Sequence, residues 1–370
     1  MTGLLRAFLV LVTLCAAVPA LARPAIVIDA ETGEVLHSHE ATRLWYPASI
    51  TKVMTTYVAL SAVRSGRISM DTQLTVSQRA LNEPPSKTGM PVGSSLSLEQ
   101  ALRIIMVKSA NDTAVTIAEG VAGSVEAFVA EMNRTAKALG LNDTHYANPN
   151  GLPDSGQLTT ARDQALLARA IYRDFPRYAY LFSLESVQIG GRTFRNHNSL
   201  IGRYPGADGL KTGFICDSGF NLVASVRRNG RHLIGVVFGA ENTKIREDVM
   251  LALIESGFDD TGGVLFKMRR ATAEALPSTG RPPVVMRDYV CGPKKQRRPI
   301  SAEIASWGLS ASATALASAG DPSRQAAAGN GSGGVIGTLL SRGEGDDDSA
   351  VDNPVRYGAV PMPERNPLRR

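Results

Sequence analysis

The sequence predicts an α/β (α+β) fold: an antiparallel sheet flanked by helices, with a helical subdomain inserted between sheet strands and a disordered C-terminal tail. Three observations carry this reading. Near the N-terminus, "AIVIDAETGEVLHSH" (25–39) has two short apolar runs around a polar Gly-containing turn, the pattern of a β-hairpin. From about 68 to 170 the apolar spacing is mostly helical. From 187 to 239 strand patterns return, ending in "FNLVASVRRNGRHLIGVVFGA", a hairpin with Asn229-Gly230 at its turn.

The elements follow in order. "MTGLLRAFLVLVTLCAAVPALA" has a basic residue, Arg6, then an apolar run, then small residues with Ala20 and Ala22 as an Ala-x-Ala cleavage site, so residues 1–22 read as a secretory signal peptide. Cys15 does not make a lipoprotein leader, because Leu14 stands where a small residue is needed. The mature chain is expected to start at Arg23 and to be exported, and no later run has the length and apolarity of a spanning segment. Ala25–Asp29 and Val35–His39 are the first hairpin, and residues 47–65 a helix entered through Pro47. "NEPPSKTGMPVGSS" (82–95) is a loop, and "SLEQALRIIMVKSA" and "DTAVTIAEGVA" are helices. "TKIREDVMLALIESGF" closes the unit as an amphipathic helix with Ile245, Val249, Leu253 and Ile254 on one face. The expected division is 23–260 as the catalytic domain, 261–300 as a short extension docked on it, and 301–370 as a disordered tail. That tail is Ala/Ser/Gly-rich, carries the acidic run "DDD" and scattered prolines, and has too little apolar surface to order itself.

Composition bounds the function only loosely. Of 370 residues 44% are hydrophobic and 20% charged, which suits a globular chain with a sizeable core. The net charge of +6 is spread along the chain and does not indicate a nucleic-acid partner.

Three short motifs carry the chemistry. "PASITK" places Ser49 and Lys52 three apart at the start of a helix, on one face. A buried lysine loses proton affinity, and a neutral amine can take the proton of a serine hydroxyl. The free N–H groups of a first helical turn suit an oxyanion. "KSAND" supplies Ser109 and Asn111, and "DGLKTGF" supplies Lys211, Thr212, Gly213 and Phe214 on a strand that leads into a hairpin. A second Lys-Thr-Gly, Lys87-Thr88-Gly89, is set aside: it precedes the Ser-x-Asn element, lies in a proline-bracketed loop, and has no hairpin after it.

The order Ser-x-x-Lys, Ser-x-Asn, Lys-Thr-Gly resembles the signature of penicillin-binding proteins and serine β-lactamases. With "YPASITKVMTTYVAL", "VKSANDTAVTIAE", "ANPNGLPDSGQLTTARDQALLARA" and "GADGLKTGFICDSGFNLVASVRRNGRHLIGVVFGA", residues 24 to 260 resemble the low-molecular-mass penicillin-binding proteins that are serine-type D-Ala-D-Ala carboxypeptidases. The resemblance implies a β-lactamase/DD-peptidase-like fold, peptidoglycan stem peptides as substrate, β-lactams as covalent inhibitors, a periplasmic site of action, and no metal or cofactor. It also implies roles. Ser49 is the nucleophile and Lys52 its base. Ser109 relays a proton, and Asn111 holds the substrate amide and Lys52. Lys211 and Thr212 bind the terminal carboxylate, Gly213 allows close approach, and the N–H groups of Ser49 and Phe214 form the oxyanion hole. Where Phe214 stands, some relatives carry His.

Rival readings are a DD-endopeptidase acting on cross-links, which the motifs do not separate from a carboxypeptidase, and a catalytically idle peptidoglycan-binding protein. A class A β-lactamase is disfavoured because no E-x-x-L-N segment occurs. His37 and His39 are expected to be surface residues, and "HYANPNGL" a structural loop without catalytic duty. Many relatives continue into a β-rich domain and an amphipathic anchor. Here 261–300 is short and prolines interrupt the end of the chain, so a soluble enzyme with a dispensable tail is expected. Beyond the leader two cysteines remain, Cys216 and Cys291. In an oxidising compartment they are either bridged, tying "PPVVMRDYV" to the sheet edge as a strand, or two separate thiols.

Overall fold

A computed structural model describes residues 23–260 and 270–292. The expected leader (1–22) and tail (301–370), with parts of the extension (261–269 and 293–300), lie outside the described residues. In chain order the elements are β1 (Ala25–Asp29), β2 (Val35–His39), α1 (Thr51–Arg64), β3 (Gln73–Thr75), α2 (Gln78–Leu81), β4 (Ser95–Ser97), α3 (Leu98–Val107), α4 (Asn111–Ala122), α5 (Val125–Ala138), α6 (Ala161–Asp174), β5 (Ser186–Ile189), β6 (Arg192–Arg195), β7 (Ala207–Ile215), β8 (Gly219–Arg228), β9 (Arg231–Ala240), α7 (Thr243–Asp259) and α8 (Arg287–Val290).

Five strands form one sheet in the order β2-β1-β9-β8-β7, with antiparallel neighbours throughout. The first hairpin is therefore stitched to the last one, and the helices from α1 to α6 are inserted between them. Asn229 and Gly230 turn β8 into β9 with φ of 52° and 74°, the double positive φ that a two-residue hairpin turn needs. Alternation along the strands divides the apolar side chains between two faces. Leu222, Ala224 and Val226 pack with Val249, Met250 and Leu253 of α7 on one face. Leu210, Val223, Ile234 and Val236 join the helical core on the other.

At the centre of the helical half, α1 is buried from Thr51 to Leu60. A helix enclosed all round must satisfy its polar side chains internally. Thr55 Oγ1 donates to Pro149 O (2.6 Å), Thr56 Oγ1 to Lys52 O (2.9 Å), and Gln157 Nε2 donates to Thr51 Oγ1 (2.8 Å). Among the described residues no single helix is long and apolar enough to cross a membrane.

Three local expectations change. The helix expected at 47–65 begins with a 3-10 turn, Ala48–Ile50, in which Ala48 takes a positive φ of 49°. The stretch 68–170 is less helical than its spacing suggests. It contains the β3–β4 pair, and 139–160 holds no helix. There, side chains supply partners that a helix would draw from its own backbone: Asn133 binds Tyr146 through both N and O, and Gln157 Oε1 accepts from Ala147 N and Asn148 N. The third change is at 284–290, which forms no strand. Met286 N donates to Asp217 O (3.0 Å), α8 follows, and β7 keeps the edge of the sheet. Residues 270–292 cross the first hairpin on the way, through Val35 N to Ala271 O and Leu44 N to Arg281 O (3.0 Å each). The segment ends in a Cys216–Cys291 disulfide, Cα atoms 5.7 Å apart and 75 positions distant in sequence.

Candidate active site

The site is built around the 3-10 turn ahead of α1. Gly213 of β7 presses on that turn: a methyl group there would lie 2.7 Å from Pro47 O and 3.2 Å from both Ser49 N and Ile50 N. Gly151 closes on the same turn, where a methyl group would lie 1.9 Å from Ala48 O and 3.0 Å from Ser49 N. Gly151 also has a φ of 87°, so glycine is required on both counts. Asn221 Nδ2 of β8 donates to Tyr46 O (3.0 Å), tying the sheet to the residues entering the turn. The segment that presents Ser49 is thus gripped by backbone of β7 and of the Gly151 loop.

Lys52 follows one turn later and is fully buried. Its Nζ donates to three acceptors: Ser49 Oγ (3.1 Å), Asn111 Oδ1 (2.9 Å) and Asn150 O (2.6 Å). Burial, seconded by the positive charge of Lys211, pushes its pKa well below the usual lysine value, while Asp112 and Glu83 pull it back up. An amine so placed has the geometry to accept a proton from a hydroxyl.

Ser109 and Asn111 straddle the start of α4. Ser109 is held at a φ of 63°, is 6% exposed, and its Oγ has no hydrogen-bond partner in the structure, so it has its donor and acceptor capacity to spend. Asn111 is shared. Its Oδ1 takes Lys52, while its Nδ2 donates to Pro84 O (2.9 Å) and its N to Ser86 O (2.7 Å).

On β7, Lys211 and Thr212 are buried and Gly213 sits against the serine turn. Lys211 Nζ donates to Thr212 O (3.1 Å), and burial together with Arg246 pushes its pKa down to about 7. Phe214 is 43% exposed and packs on its cross-strand neighbour Phe220, ring centroids 4.3 Å apart.

The structure thus brings Ser49, Lys52 and Asn111 into direct contact and sets Lys211 within charge range of Lys52. Lys87-Thr88-Gly89 is placed elsewhere. Thr88 N (2.8 Å), Thr88 Oγ1 (2.6 Å) and Gly89 N (2.9 Å) all donate to Asp112 Oδ2, which pins that loop beside the Ser-x-Asn element. Among the described residues, His, Cys, Asp and Glu side chains form no group of three or more that suits a metal ion.

Sequence reasoning missed three contributors. The loop around Asn150, read as purely structural, supplies the carbonyl nearest to Lys52. Glu83 accepts from Asn150 Nδ2 (2.8 Å) behind it, and Asp112 holds the facing loop. Asn150 acts through its main chain, which every residue type possesses, so no motif marks it. Asp112 directly follows Asn111, and that adjacency was the one available signal.

The chain is similar to known proteins. The family model described as D-alanyl-D-alanine carboxypeptidase, peptidase S11, matches residues 14–242. The curated D-alanyl-D-alanine carboxypeptidase DacD of Salmonella typhimurium is 38% identical over 239 residues, which is 63% of this chain and 61% of that protein. The chain therefore spans about three fifths of that relative's length. Penicillin binding protein 5 from Haemophilus influenzae superposes with a TM-score of 0.63 at 32% identity, covering 65% of this chain and 72% of that one. Penicillin-Binding Protein D2 from Listeria monocytogenes, solved in its cefotaxime-bound form, gives a TM-score of 0.59 at 28% identity, covering 65% of this chain and 98% of that one. With the family model matched over more than half its length, this chain belongs to the D-alanyl-D-alanine carboxypeptidase family, the serine peptidases of family S11.

Proposed function

We propose that the chain is a serine-type D-Ala-D-Ala carboxypeptidase that removes the terminal D-alanine from peptidoglycan stem pentapeptides, and that β-lactams acylate the same serine. The observation that carries this reading is the buried Lys52 amine bonded to Ser49 Oγ while its other acceptors, Asn111 Oδ1 and Asn150 O, hold it in place. Lys52 takes the Ser49 proton as Ser49 Oγ attacks the carbonyl between the two D-alanines. The oxyanion is received by the N–H groups of Ser49 and Phe214. Ser109, its hydroxyl uncommitted, passes a proton to the leaving D-alanine nitrogen. Lys211 and Thr212 bind the terminal carboxylate, which restores the charge that burial disfavours on Lys211. Because β7 is the sheet edge, the peptide can lie along it as an added strand. Water then hydrolyses the acyl-enzyme, and no cofactor is needed for any of these steps.

The named relatives are carboxypeptidases and penicillin-binding proteins, one of them solved with cefotaxime, which supports both halves of the proposal. The secretory pattern of residues 1–22 and the Cys216–Cys291 bridge support action outside the cytoplasm, at the cell wall. Labelled penicillin should attach to Ser49 and be lost in Ser49→Ala, and pentapeptide muropeptides should release free D-alanine. Cross-linked dimers converted to monomers without D-alanine release would replace this reading by an endopeptidase.

A further inference from the structure

The residues around Lys52 form a closed ring. Lys52 Nζ donates to Asn150 O (2.6 Å), Asn150 Nδ2 donates to Glu83 Oε2 (2.8 Å), Pro84 follows Glu83 in the chain, Pro84 O accepts from Asn111 Nδ2 (2.9 Å), and Asn111 Oδ1 accepts from Lys52 Nζ (2.9 Å). We propose that Glu83 is a positioning residue of this site, which fixes the Asn150 carbonyl on the Lys52 amine and places a carboxylate charge behind it. The inference rests on Lys52 being the base.

The loop that carries Glu83 is immobilised on the catalytic side. Ser86 Oγ donates to Lys108 O (3.1 Å), Asn111 N to Ser86 O (2.7 Å), and Thr88 and Gly89 are held by Asp112. Glu83 itself is only partly buried, and among its bonds the one to Asn150 points inward. The contact from Asn150 O is also the shortest that Lys52 makes. A slack Asn150 would let the amine rotate away from Ser49 Oγ.

The charge has its own part. Three charged side chains face Lys52: Lys211 from β7, Asp112 from α4, and Glu83 from the loop. Glu83 in turn faces Arg79 of α2 as well as Lys52 and Asp112, and burial raises its own carboxyl above the usual range. Burial and Lys211 both disfavour a charged Lys52 and so weaken the amine as a base. A carboxylate two hydrogen bonds away opposes them, and it favours the ammonium that forms as Ser49 loses its proton. A glutamine in its place would keep the acceptor for Asn150 Nδ2 and lose only the charge.

The test uses the full chain, Glu83→Gln and Glu83→Ala. The second-order rate of acylation by a fluorescent penicillin is measured from about pH 4 to about pH 9, with melting temperature alongside. Glu83→Gln should melt as the wild type does. Its acylation plateau should fall roughly threefold, and the acid limb of its profile should move down by about half a pH unit, since Lys52 then loses its proton more readily. Glu83→Ala should lose about 10-fold to 100-fold, with peptide KM little changed and kcat reduced. A Glu83→Gln profile that superposes on the wild type within twofold overturns the role of the charge, and a Glu83→Ala acylation rate within twofold overturns the positioning. If Glu83→Ala does not fold, Glu83→Gln decides the role of the charge, and Asn150→Ala, which keeps the carbonyl on Lys52 and removes the Nδ2 bond to Glu83, decides the positioning by the same twofold limit. Wild-type protein that is not labelled at Ser49 would instead defeat the underlying assignment of the nucleophile, and this proposal with it.

Discussion

Gly213→Ala is the most direct probe of how tightly β7 holds the serine turn. The new methyl group would lie 2.7 Å from Pro47 O, about 0.7 Å short of the 3.4 Å at which ordinary contact begins, and 3.2 Å from the amide nitrogens of Ser49 and Ile50. All three neighbours are main-chain atoms, so no side-chain rotation relieves the overlap. Either β7 retreats, against its pairing of Gly213 with Asn221, or the turn retreats, against the bond from Asn221 Nδ2 to Tyr46 O. The expected displacement is about 0.7 Å in the relation between Ser49 and the edge strand. A misplacement near 1 Å costs on the order of 100-fold in rate, and overpacking costs about 1–3 kcal/mol in stability. We expect penicillin acylation to fall about 30-fold to 100-fold. Gly230→Ala serves as the control. It has a positive φ of 74° but open space around it, so it should lower stability by about 1 kcal/mol and leave the acylation rate alone. An acylation rate for Gly213→Ala within threefold of the wild type would show that the spacing between strand and turn does not govern the chemistry.

Three more outcomes follow from the same geometry. Gly151→Ala should be more damaging than Gly213→Ala, since its methyl group would overlap Ala48 O at 1.9 Å from a φ of 87°; a melting temperature equal to that of the wild type would contradict the close packing of that loop. Lys211, with its pKa at about 7 in the free enzyme, loses its charge as pH rises through that value, so KM for a D-alanine-terminated peptide should climb above about pH 7 while kcat changes less; a flat KM up to pH 9 would contradict the carboxylate-binding role. Reducing the Cys216–Cys291 bridge, which spans 75 positions, should lower stability by about 4 kcal/mol on chain-entropy grounds, and thiol titration of denatured, unreduced protein should find neither cysteine free.

What the sequence makes legible follows from where information sits in a chain. In the proposed function Ser49, Lys52, Ser109, Asn111 and Lys211-Thr212-Gly213 would act through side chains or the lack of one, so residue type and order point to them. The β8–β9 hairpin is legible because alternation and Asn229-Gly230 point to the same turn. The walls of the site are not legible in this way. Asn150, Pro84 and Pro149 contribute main-chain carbonyls, an ability shared by all residues, and their partners are tens of positions away. The positive φ of Ala48 is likewise unannounced, since alanine gives no hint of it, and its carbonyl lies close against Gly151. The mostly helical spacing of 68–170 gives way at 139–160, where Asn133, Gln157 and Asp163 capture the backbone from outside and 145–152 is the loop that its composition indicates.

The order of the sheet bears on how the protein comes to life. Ala25 pairs with Val237, so the first strand to be synthesised waits for the last one before it gains its inner neighbour. A growing chain exposes Ser49 and Lys52 early, but β7, which presses on their turn, is complete only at Ile215, and β9, which seats β1, only at Ala240. Contacts so distant in sequence form late. On the proposed function, an unfinished polypeptide that lacks β7 lacks Lys211, Thr212 and the Phe214 N–H, and is expected neither to trim a stem peptide nor to be captured by penicillin. On that reading, reactivity towards penicillin is expected only once the sheet closes, and a penicillin adduct would mark completed assembly on newly made protein in a pulse-chase.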